Sequence, residues 1–357
     1  MRSKTSLRPR GAAAMNRFVD MRVTMADVAR EAGVSLKSVS RVVNGEAHVS
    51  ASLREKVEHA VAQLGYVPHM AARSLAGNRS FTICLLFDNP SPNYKMKIQT
   101  GCYKACWEAG YQLRIEEIRP AETWDALEKQ LLPVLHQRQS DGLVLTPPLA
   151  DDPRVLDLIE KAGLPYVRIA PTADPGRSKA ADMDDYAAAG DVARLFYAHG
   201  HRRHVAIING PLAHGRSECR RQGFIETFQR LQPDISVMEE MGDFTFFSGI
   251  EAGKRLLARK PRPTAIFVTS DDMAAGVLNA AQQRGLNVPE DVSVCGYDDG
   301  IIAMTVWPYL TTIRQPIAEM AETGVRMLLD WADRDIVTRQ IGYELIERDS
   351  VADASMA

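Results

Sequence analysis

The chain contains few cysteines, and none of them is arranged as a metal site or a disulfide framework. Among 357 residues there are five: Cys84, Cys102, Cys106, Cys219 and Cys295. They form no CxxC pair. Cys102 and Cys106 lie one helical turn apart, but no histidine or second cysteine pair is near enough in sequence to complete a zinc site. We therefore expect reduced, mostly buried thiols, no metal and no cofactor.

Long apolar runs and secretion signals are also missing. No segment is long and apolar enough to span a bilayer. The first 20 residues carry basic charge but lack the apolar core of a signal peptide, so we expect a disordered extension at 1–20. Together these absences predict a cytoplasmic protein with no membrane association.

Motifs of the common enzyme classes are absent as well. We find no GxSxG elbow, no Walker loop, no GxGxxG after a strand and no HExxH. Pairs of adjacent aspartates could suggest the two carboxylates of a hydrolase: Asp184/Asp185, Asp271/Asp272 and Asp298/Asp299. Neighbouring residues at a strand end point in different directions, so each pair can supply one cleft residue at most. The sequence therefore predicts that the protein is not an enzyme.

Charge is distributed unevenly along the chain. Residues 1–80 contain 13 Lys and Arg against 6 Asp and Glu, a net charge of +7, whereas the remainder carries −9. A basic N-terminal part on an acidic body is typical of a protein whose N-terminal part alone contacts nucleic acid. A solvated basic surface is the alternative, and charge alone does not exclude it.

Two short helical patterns joined at a glycine follow the N-terminal extension. The first covers 25–32, with Thr24 placed to cap it and Gly33 able to adopt the left-handed conformation that ends a helix. Ser35 can cap the second, at 36–43, where the valines would face inward and Leu36 and Lys37 outward. This pattern predicts a helix-turn-helix, whose second helix enters the DNA major groove.

Strand and helix patterns alternate after residue 80. Predicted apolar strands occupy 81–87, 111–118, 141–147, 166–170, 204–210, 264–270 and 292–299, with helices between them. Continuous apolar strands alternating with helices indicate parallel sheets covered on both faces. Two such runs predict two lobes, and the polar residues that follow the strands predict a cleft for a small hydrophilic ligand.

The sequence also contains motifs that are more specific than these helix and strand patterns. TMADVAREAGVSLKSVSRVVNG, followed by HVSASLREKVEHAVAQLGYVPHMAARSLAG, resembles the DNA-binding headpiece and hinge helix of the lactose repressor (LacI/GalR) family. GPLxxxxxxxRxxGF, GDFTxxSG, PTAIFVTSDDMAAG, DVSVCGYDD and LTTIRQP resemble the core of that family, which is similar to a periplasmic sugar-binding protein. The resemblance spans about residues 23–348. It implies a headpiece at 21–69, a hinge helix and linker at 70–79, and a two-lobed effector-binding and dimerisation core at 80–350.

The resemblance also implies which headpiece residues contact DNA. Leu36 and Lys37 occupy the variable base-reading positions, and Arg41 matches a common base contact, since an arginine can bond guanine as a fork. Other positions match phosphate contacts or caps: Thr24, Ser35, Ser40, Asn44, His48 and Ser50. In the hinge, Ala72 and Leu75 match the minor-groove position, where the leucines of two hinge helices unstack a base step. A hydrophobic contact with the core is the alternative for Leu75.

In the core, the resemblance assigns Arg220 and Asp298 to the ligand, because both can bind a sugar diol in bidentate fashion. A structural ion pair between these two residues is the alternative. Phe244 matches a position that stacks on the ligand, although ordinary core packing is equally compatible. Further candidates follow the predicted strands, namely Asn89, Tyr94, Thr146, Ser270 and Asp271, and Gln315 lies on the return segment. Arg168 could favour an acidic or phosphorylated sugar if it faced the cleft, but we expect it at the surface.

These features predict a homodimeric DNA-binding transcription regulator, with a repressor favoured. A sugar or sugar derivative between the lobes would control its affinity for a palindromic operator. A regulator in which the ligand tightens DNA binding is the first alternative. The solute-binding protein of a transporter is a second, since it would share the core but not the headpiece.

Overall fold

The computed structural model describes residues 23–43, 48–66, 79–136, 139–211, 214–330, 333 and 335–354. These residues divide into two compact units, with the boundary between Ser80 and Phe81. The extension at 1–20 and the hinge segment 70–78 lie outside the described residues.

The first unit is a small bundle of helices. The described part contains α1 (Met25–Ala32), α2 (Leu36–Val43) and α3 (Ala51–Leu64). Val28, Val39 and Val57 come one from each helix and are fully buried against one another. The turn between α1 and α2 passes through Gly33, whose φ of 64° is the left-handed conformation expected there. The predicted helix-turn-helix is therefore present.

The second unit contains two six-stranded sheets, and the first of them builds what we call the N-lobe. Its strands are β1 (Thr82–Phe87), β2 (Gln112–Glu117), β3 (Gly142–Leu145), β4 (Tyr166–Ile169), β5 (Lys179–Asp182) and β11 (Thr338–Gln340). Its helices are α4 (Pro92–Glu108), α5 (Trp124–His136), α6 (Pro153–Lys161) and α11 (Ile317–Leu329). The strand order is β11-β5-β4-β3-β1-β2, and every pair is parallel.

The second sheet builds the C-lobe in the same way. Its strands are β6 (Val205–Asn209), β7 (Met238–Met241), β8 (Ala265–Val268), β9 (Ser293–Tyr297), β10 (Thr311–Arg314) and β12 (Glu344–Ile346). Its helices are α7 (Asp185–Ala198), α8 (Gly215–Leu231), α9 (Phe246–Leu257) and α10 (Asp271–Gln283). The order is β12-β10-β9-β8-β6-β7, and only β12 is antiparallel to its neighbour among the described strands.

The chain passes between the lobes three times within the second unit. It leaves the first sheet after β5, returns after β10 to form α11 and β11, and enters the second sheet again at β12. The carboxyl ends of parallel strands line one edge of each sheet, which is where ligands bind in such folds. The predicted two-lobed architecture is confirmed.

Several short elements differ from the sequence-based expectation. Five strands lie outside the predicted set: β5, β7, β10, β11 and β12. β7 alternates between exposed and half-buried residues and β11 is exposed throughout, so neither shows a buried apolar run. α11 also lies outside the predicted elements, and it begins after Pro316 without a side-chain cap that would mark its start. No helix in the described parts of the chain is both long and apolar enough to cross a membrane.

Candidate functional site

The exposed end of α2 is the candidate DNA-reading surface of the first unit. Val39 and Val42 are buried against α1 and α3, which fixes the rotation of the helix. Leu36 is 54% exposed and Lys37 is exposed beside it in the first turn. Both side chains therefore point away from the core of this unit.

Three of the predicted phosphate-contacting residues act as helix caps. The Thr24 hydroxyl accepts the Asp27 N–H at 3.3 Å, and the Asp27 carboxylate accepts the Thr24 N–H at 2.9 Å, a reciprocal capping box. Ser35 accepts the Ser38 N–H at 3.1 Å, and Ser50 accepts that of Leu53 at 3.3 Å. Both proposed roles are compatible, because a capped helix N-terminus also attracts anions. Contact with phosphate stays a prediction.

Arg41 is engaged within the unit. Its Nη2 donates to the His48 carbonyl at 2.8 Å and so ties the end of α2 to the segment before α3. Ser40 is half-buried and His48 is exposed on the same unit. The predicted contacts Asn44, Ala72 and Leu75 lie outside the described residues.

A small cavity lies between the carboxyl ends of the two sheets in the second unit. Seven predicted ligand residues line it: Asn89, Tyr94, Arg220, Phe244, Ser270, Asp298 and Gln315. The cavity volume is about 30 Å³, room for only a few water molecules, since one water needs roughly 10–15 Å³ of such space. A sugar-sized ligand therefore requires the lobes to separate or the lining side chains to move.

Asp185, at the first turn of α7, is the electrostatic centre of this cleft. Its carboxylate accepts from Arg220 Nε at 2.7 Å, Arg216 Nη1 at 3.1 Å and the Tyr297 hydroxyl at 2.7 Å. Burial by itself would raise the pKa of Asp185, but Arg220 and Arg216 outweigh it and hold that pKa below the ordinary value. The carboxylate is therefore ionised and binds two buried guanidinium groups together.

Arg216 connects the lobes. It belongs to α8 of the C-lobe, yet its Nε donates to the Ala170 carbonyl at 2.8 Å and its Nη2 lies 2.7 Å from the Asp182 carboxylate. Its Nη2 also donates to the Pro171 carbonyl, and its Nη1 donates to that of Met183. These N-lobe partners occupy all three nitrogens, so Arg216 braces one lobe against the other.

Asp298 follows β9 and faces the same cavity. Its carboxylate accepts a hydrogen bond from the Gln315 amide, and burial raises its pKa to about 6 against the lowering effects of Arg220 and Lys97. Arg220 forms its ion pair with Asp185, which replaces the expected alternative of an Arg220–Asp298 pair. The φ of Asp298 is 117°, a strained conformation of the kind that concentrates at functional sites.

Phe244 both packs in the core and lines the cavity. It is 7% exposed and adopts a φ of 67°. Its ring packs so closely on Gly210 that a Cβ there would overlap it. The His214 ring meets Phe244 edge to face, with 5.5 Å between centroids. Packing and ligand contact, the two alternatives for this residue, are thus compatible.

Two predicted ligand residues lie outside the cavity lining. Asp271 is buried, and its carboxylate accepts the Gly300 N–H at 2.7 Å and the Thr312 hydroxyl at 2.7 Å. It therefore positions the loop after β9, and direct ligand contact by Asp271 stays a prediction. Thr146 is fully buried, and its hydroxyl has no hydrogen-bond partner among the described residues.

The expectation that Arg168 lies at the surface is wrong. Its side chain is fully buried behind the loop that follows β4. It donates to the Ser178 hydroxyl at 2.9 Å and to the carbonyls of Ala150, Ala173 and Asp174. Arg168 satisfies this loop and does not line the cleft, so it supplies no argument for an acidic sugar.

Sequence reasoning missed several residues that line the cleft. The main ones are Asp185, Arg216, His214 and Ser91. The aspartate pair 184/185 was a signal for the first, since each such pair could supply at most one cleft residue. For Arg216 and His214 no spacing rule distinguished them from other polar residues near α8. No cluster of three potential metal ligands occurs within the described ranges.

A helix-turn-helix unit joined to a two-lobed core with a polar cleft defines a ligand-controlled DNA-binding transcription regulator. Residues 24–69 match the family model described as bacterial regulatory proteins, lacI family, and residues 193–351 match that of the periplasmic binding protein-like domain. The repressor PurR of Salmonella paratyphi B is 35% identical over 343 residues, covering 92% of this chain and 97% of its own. Catabolite control protein A of Priestia megaterium is 31% identical, covering 90% and 96%.

A solved structure of a DNA-bound repressor is also similar to this chain. The Lac repressor dimer bound to operator and the anti-inducer ONPF aligns with a TM-score of 0.75 at 29% identity, covering 93% of this chain and all of the other. The chain belongs to the LacI family of bacterial regulatory proteins. The predicted class is confirmed: the protein is a regulator, and neither an enzyme nor the solute-binding protein of a transporter.

Proposed function

We propose that the protein is a repressor whose α2 reads a palindromic operator in the major groove. Leu36 and Lys37 would contact base edges, with Arg41 and Ser40 on the following turn. The capped ends at Thr24, Ser35 and Ser50, with His48 and Asn44, would bind phosphates. The observation that carries this proposal is the exposed pair Leu36 and Lys37 on a helix whose other face is buried.

The ligand in our proposal is a sugar or sugar derivative held between the lobes. Hydrogen-bonding side chains from both lobes surround the cavity, and the Phe244 ring offers an apolar surface for a sugar face. The regulator CelR, solved as a cellobiose complex, aligns with a TM-score of 0.70 at 30% identity over 92% of this chain.

We also propose that the protein is a homodimer in the cytoplasm. Large apolar side chains are exposed in both lobes, and exposed apolar patches are typical of surfaces that bind a partner. Phe247 and Trp307 are 76% and 77% exposed in the C-lobe, and Trp107 and Tyr103 are 71% and 57% exposed on α4. A second copy of the chain would cover them, as a two-fold operator requires two headpieces.

Ligand binding would change the angle between the lobes and thereby the pairing of the two hinge helices. Ala72 and Leu75, outside the described residues, would then lose or gain their place in the minor groove. A ligand that lowers operator affinity would release the repressor from DNA, whereas one that raises operator affinity would tighten its binding to DNA.

The DNA-binding proposal is tested by fluorescence anisotropy with duplexes from the DNA upstream of the gene. We expect salt-sensitive binding to a two-fold sequence. Lys37→Ala should relax preference at one base pair of each half-site by about 1–3 kcal/mol. Lys129→Ala, an exposed lysine on α5 of the core, is the matched control and should bind as wild type does. Unchanged affinity and preference in Lys37→Ala would show that α2 is not the reading helix.

A further inference from the structure

The first turns of α4 lie against the C-lobe, although α4 belongs to the N-lobe. The hydroxyl of Ser91, the residue that caps α4, donates to the Asp272 carboxylate at 2.9 Å. Further along the helix, Lys97 Nζ donates to the backbone carbonyls of Asp298 and Asp299 at 2.7 and 2.8 Å. The N-lobe helix is therefore hydrogen-bonded to the C-lobe at two points.

The backbone that Lys97 holds has an unusual conformation. Asp298 and Asp299 have φ angles of 117° and 49°, so two successive residues that are not glycine adopt positive φ. Such a conformation is costly and persists only where the surroundings hold it. The C-lobe holds this segment through its N–H groups, since the Gly300 N–H donates to the Asp271 carboxylate at 2.7 Å. Lys97 holds the carbonyls of the same segment, and it does so from the other lobe.

The ammonium of Lys97 also acts on the Asp298 carboxyl, which faces the cavity. Burial raises the pKa of Asp298 to about 6, and the positive charges of Arg220 and Lys97 oppose that rise. Four other titratable groups interact with this carboxyl: Asp271, Asp272, Tyr94 and Tyr297. Arg220 belongs to the same lobe as Asp298, whereas Lys97 does not. Because the attraction between charges weakens with distance, the effect of Lys97 depends on contact between the lobes.

We propose that Lys97 is a positioning residue for Asp298, and that it fixes the conformation and the charge of this cleft residue from the opposite lobe. Opening of the cleft would separate the ammonium from the two carbonyls and from the carboxyl. Asp298 is then prepared for a ligand only while the lobes are in contact. The inference deepens the proposed function and rests on it, because it concerns the ligand cleft.

The first experiment needs no ligand. Asp298 is titrated in the full chain by NMR of isotope-labelled aspartate carboxyls, and its signal is identified by its loss in Asp298→Asn. Lys97→Met removes the charge and should raise the measured pKa of Asp298 by about half a pH unit or more, whereas Lys97→Arg should leave it near the wild-type value. Lys95→Met is the matched control and should change nothing, because Lys95 lies on the same helix but pairs with Glu117 of its own lobe.

The second experiment is calorimetric titration with glucose, galactose, ribose and cellobiose. A sugar that binds the wild-type chain should bind Lys97→Met about tenfold more weakly at neutral pH, because the backbone of Asp298 is no longer held. Lys95→Met should bind that sugar as the wild type does. If none of the four sugars binds the wild-type chain, the sugar in the proposed function is in doubt, and the NMR titration alone decides on Lys97.

If Lys97→Met does not fold, Lys97→Gln takes its place in both experiments, since it removes the charge but keeps an N–H donor. An Asp298 pKa that is the same with and without the charge of Lys97 would overturn the proposal. An equal rise of that pKa in Lys95→Met would also overturn it, because the effect would then not depend on contact with the opposite lobe.

Discussion

Replacing Asp185 with asparagine should destabilise the core unit strongly. The carboxylate is 1% exposed, and its partners Arg216 and Arg220 are 7% and 9% exposed. Asparagine keeps the shape and one acceptor but removes the charge, which leaves the buried Arg220 guanidinium without its counter-ion and that of Arg216 with Asp182 alone. Breaking such a buried pair costs about 3–5 kcal/mol, a large part of the about 5–15 kcal/mol that stabilises a typical domain.

Chemical denaturation followed by tryptophan fluorescence measures this loss of stability in the second unit, because all four tryptophans follow residue 81. Glu251→Gln, which breaks an exposed pair with Lys254, is the control and should change stability by less than about 0.5 kcal/mol.

The effect of Asp185→Asn should depend on pH. The folded-state pKa of Asp185 is depressed, so its stabilisation is complete above the unfolded value of about 3.9 and is lost as pH falls through the folded value. The gap between wild type and Asp185→Asn should therefore narrow below about pH 4. A loss under about 1 kcal/mol at pH 7, or a gap that does not change with pH, would refute this account of the cleft.

Four further outcomes are expected. Thr24→Ala removes the capping box of α1 and should lower its protection in hydrogen exchange by about 1 kcal/mol. Gly223→Ala would push a Cβ into the Tyr186 carbonyl and should lower the unfolding free energy by about 1–3 kcal/mol in the fluorescence assay, by separating α7 from α8. Ligand affinity that depends on ionised Asp298 should fall as pH drops below about 6 in calorimetric titrations. Leu75→Ala should weaken specific operator binding while non-specific DNA binding changes little in anisotropy; equal loss of both would reduce the hinge to a tether.

Local rules predicted the headpiece well. Thr24, Gly33 and Ser35 each determine a helix boundary through their own backbone and nearest neighbours, so their roles can be deduced from a single segment. The long buried strands could also be predicted, because each carries a continuous apolar run.

The cleft was predictable only in part, for a physical reason. Asp298 and Phe244 sit in motifs that the resemblance identifies. Asp185, by contrast, meets Arg216, Arg220 and Tyr297 only in the folded chain, where they lie 31, 35 and 112 residues further along the sequence. Arg168 illustrates the limit: an arginine after a strand is usually exposed, and only the loop carbonyls of the folded chain explain its burial.

The shared carboxylate of Asp185 also constrains how this regulator could be converted into a sensor for a new compound. Because Arg220 and Arg216 share Asp185, and Arg216 also pairs with Asp182, a change at Asp185 or at either arginine alters the cost of a change at the others. Libraries that vary these positions one at a time would mainly recover unfolded variants. His214 has no bond to this cluster, and Phe244 meets the cavity through its ring, so these positions can be randomised separately. New specificity is therefore more accessible from the Phe244 side of the cleft than from its charged centre.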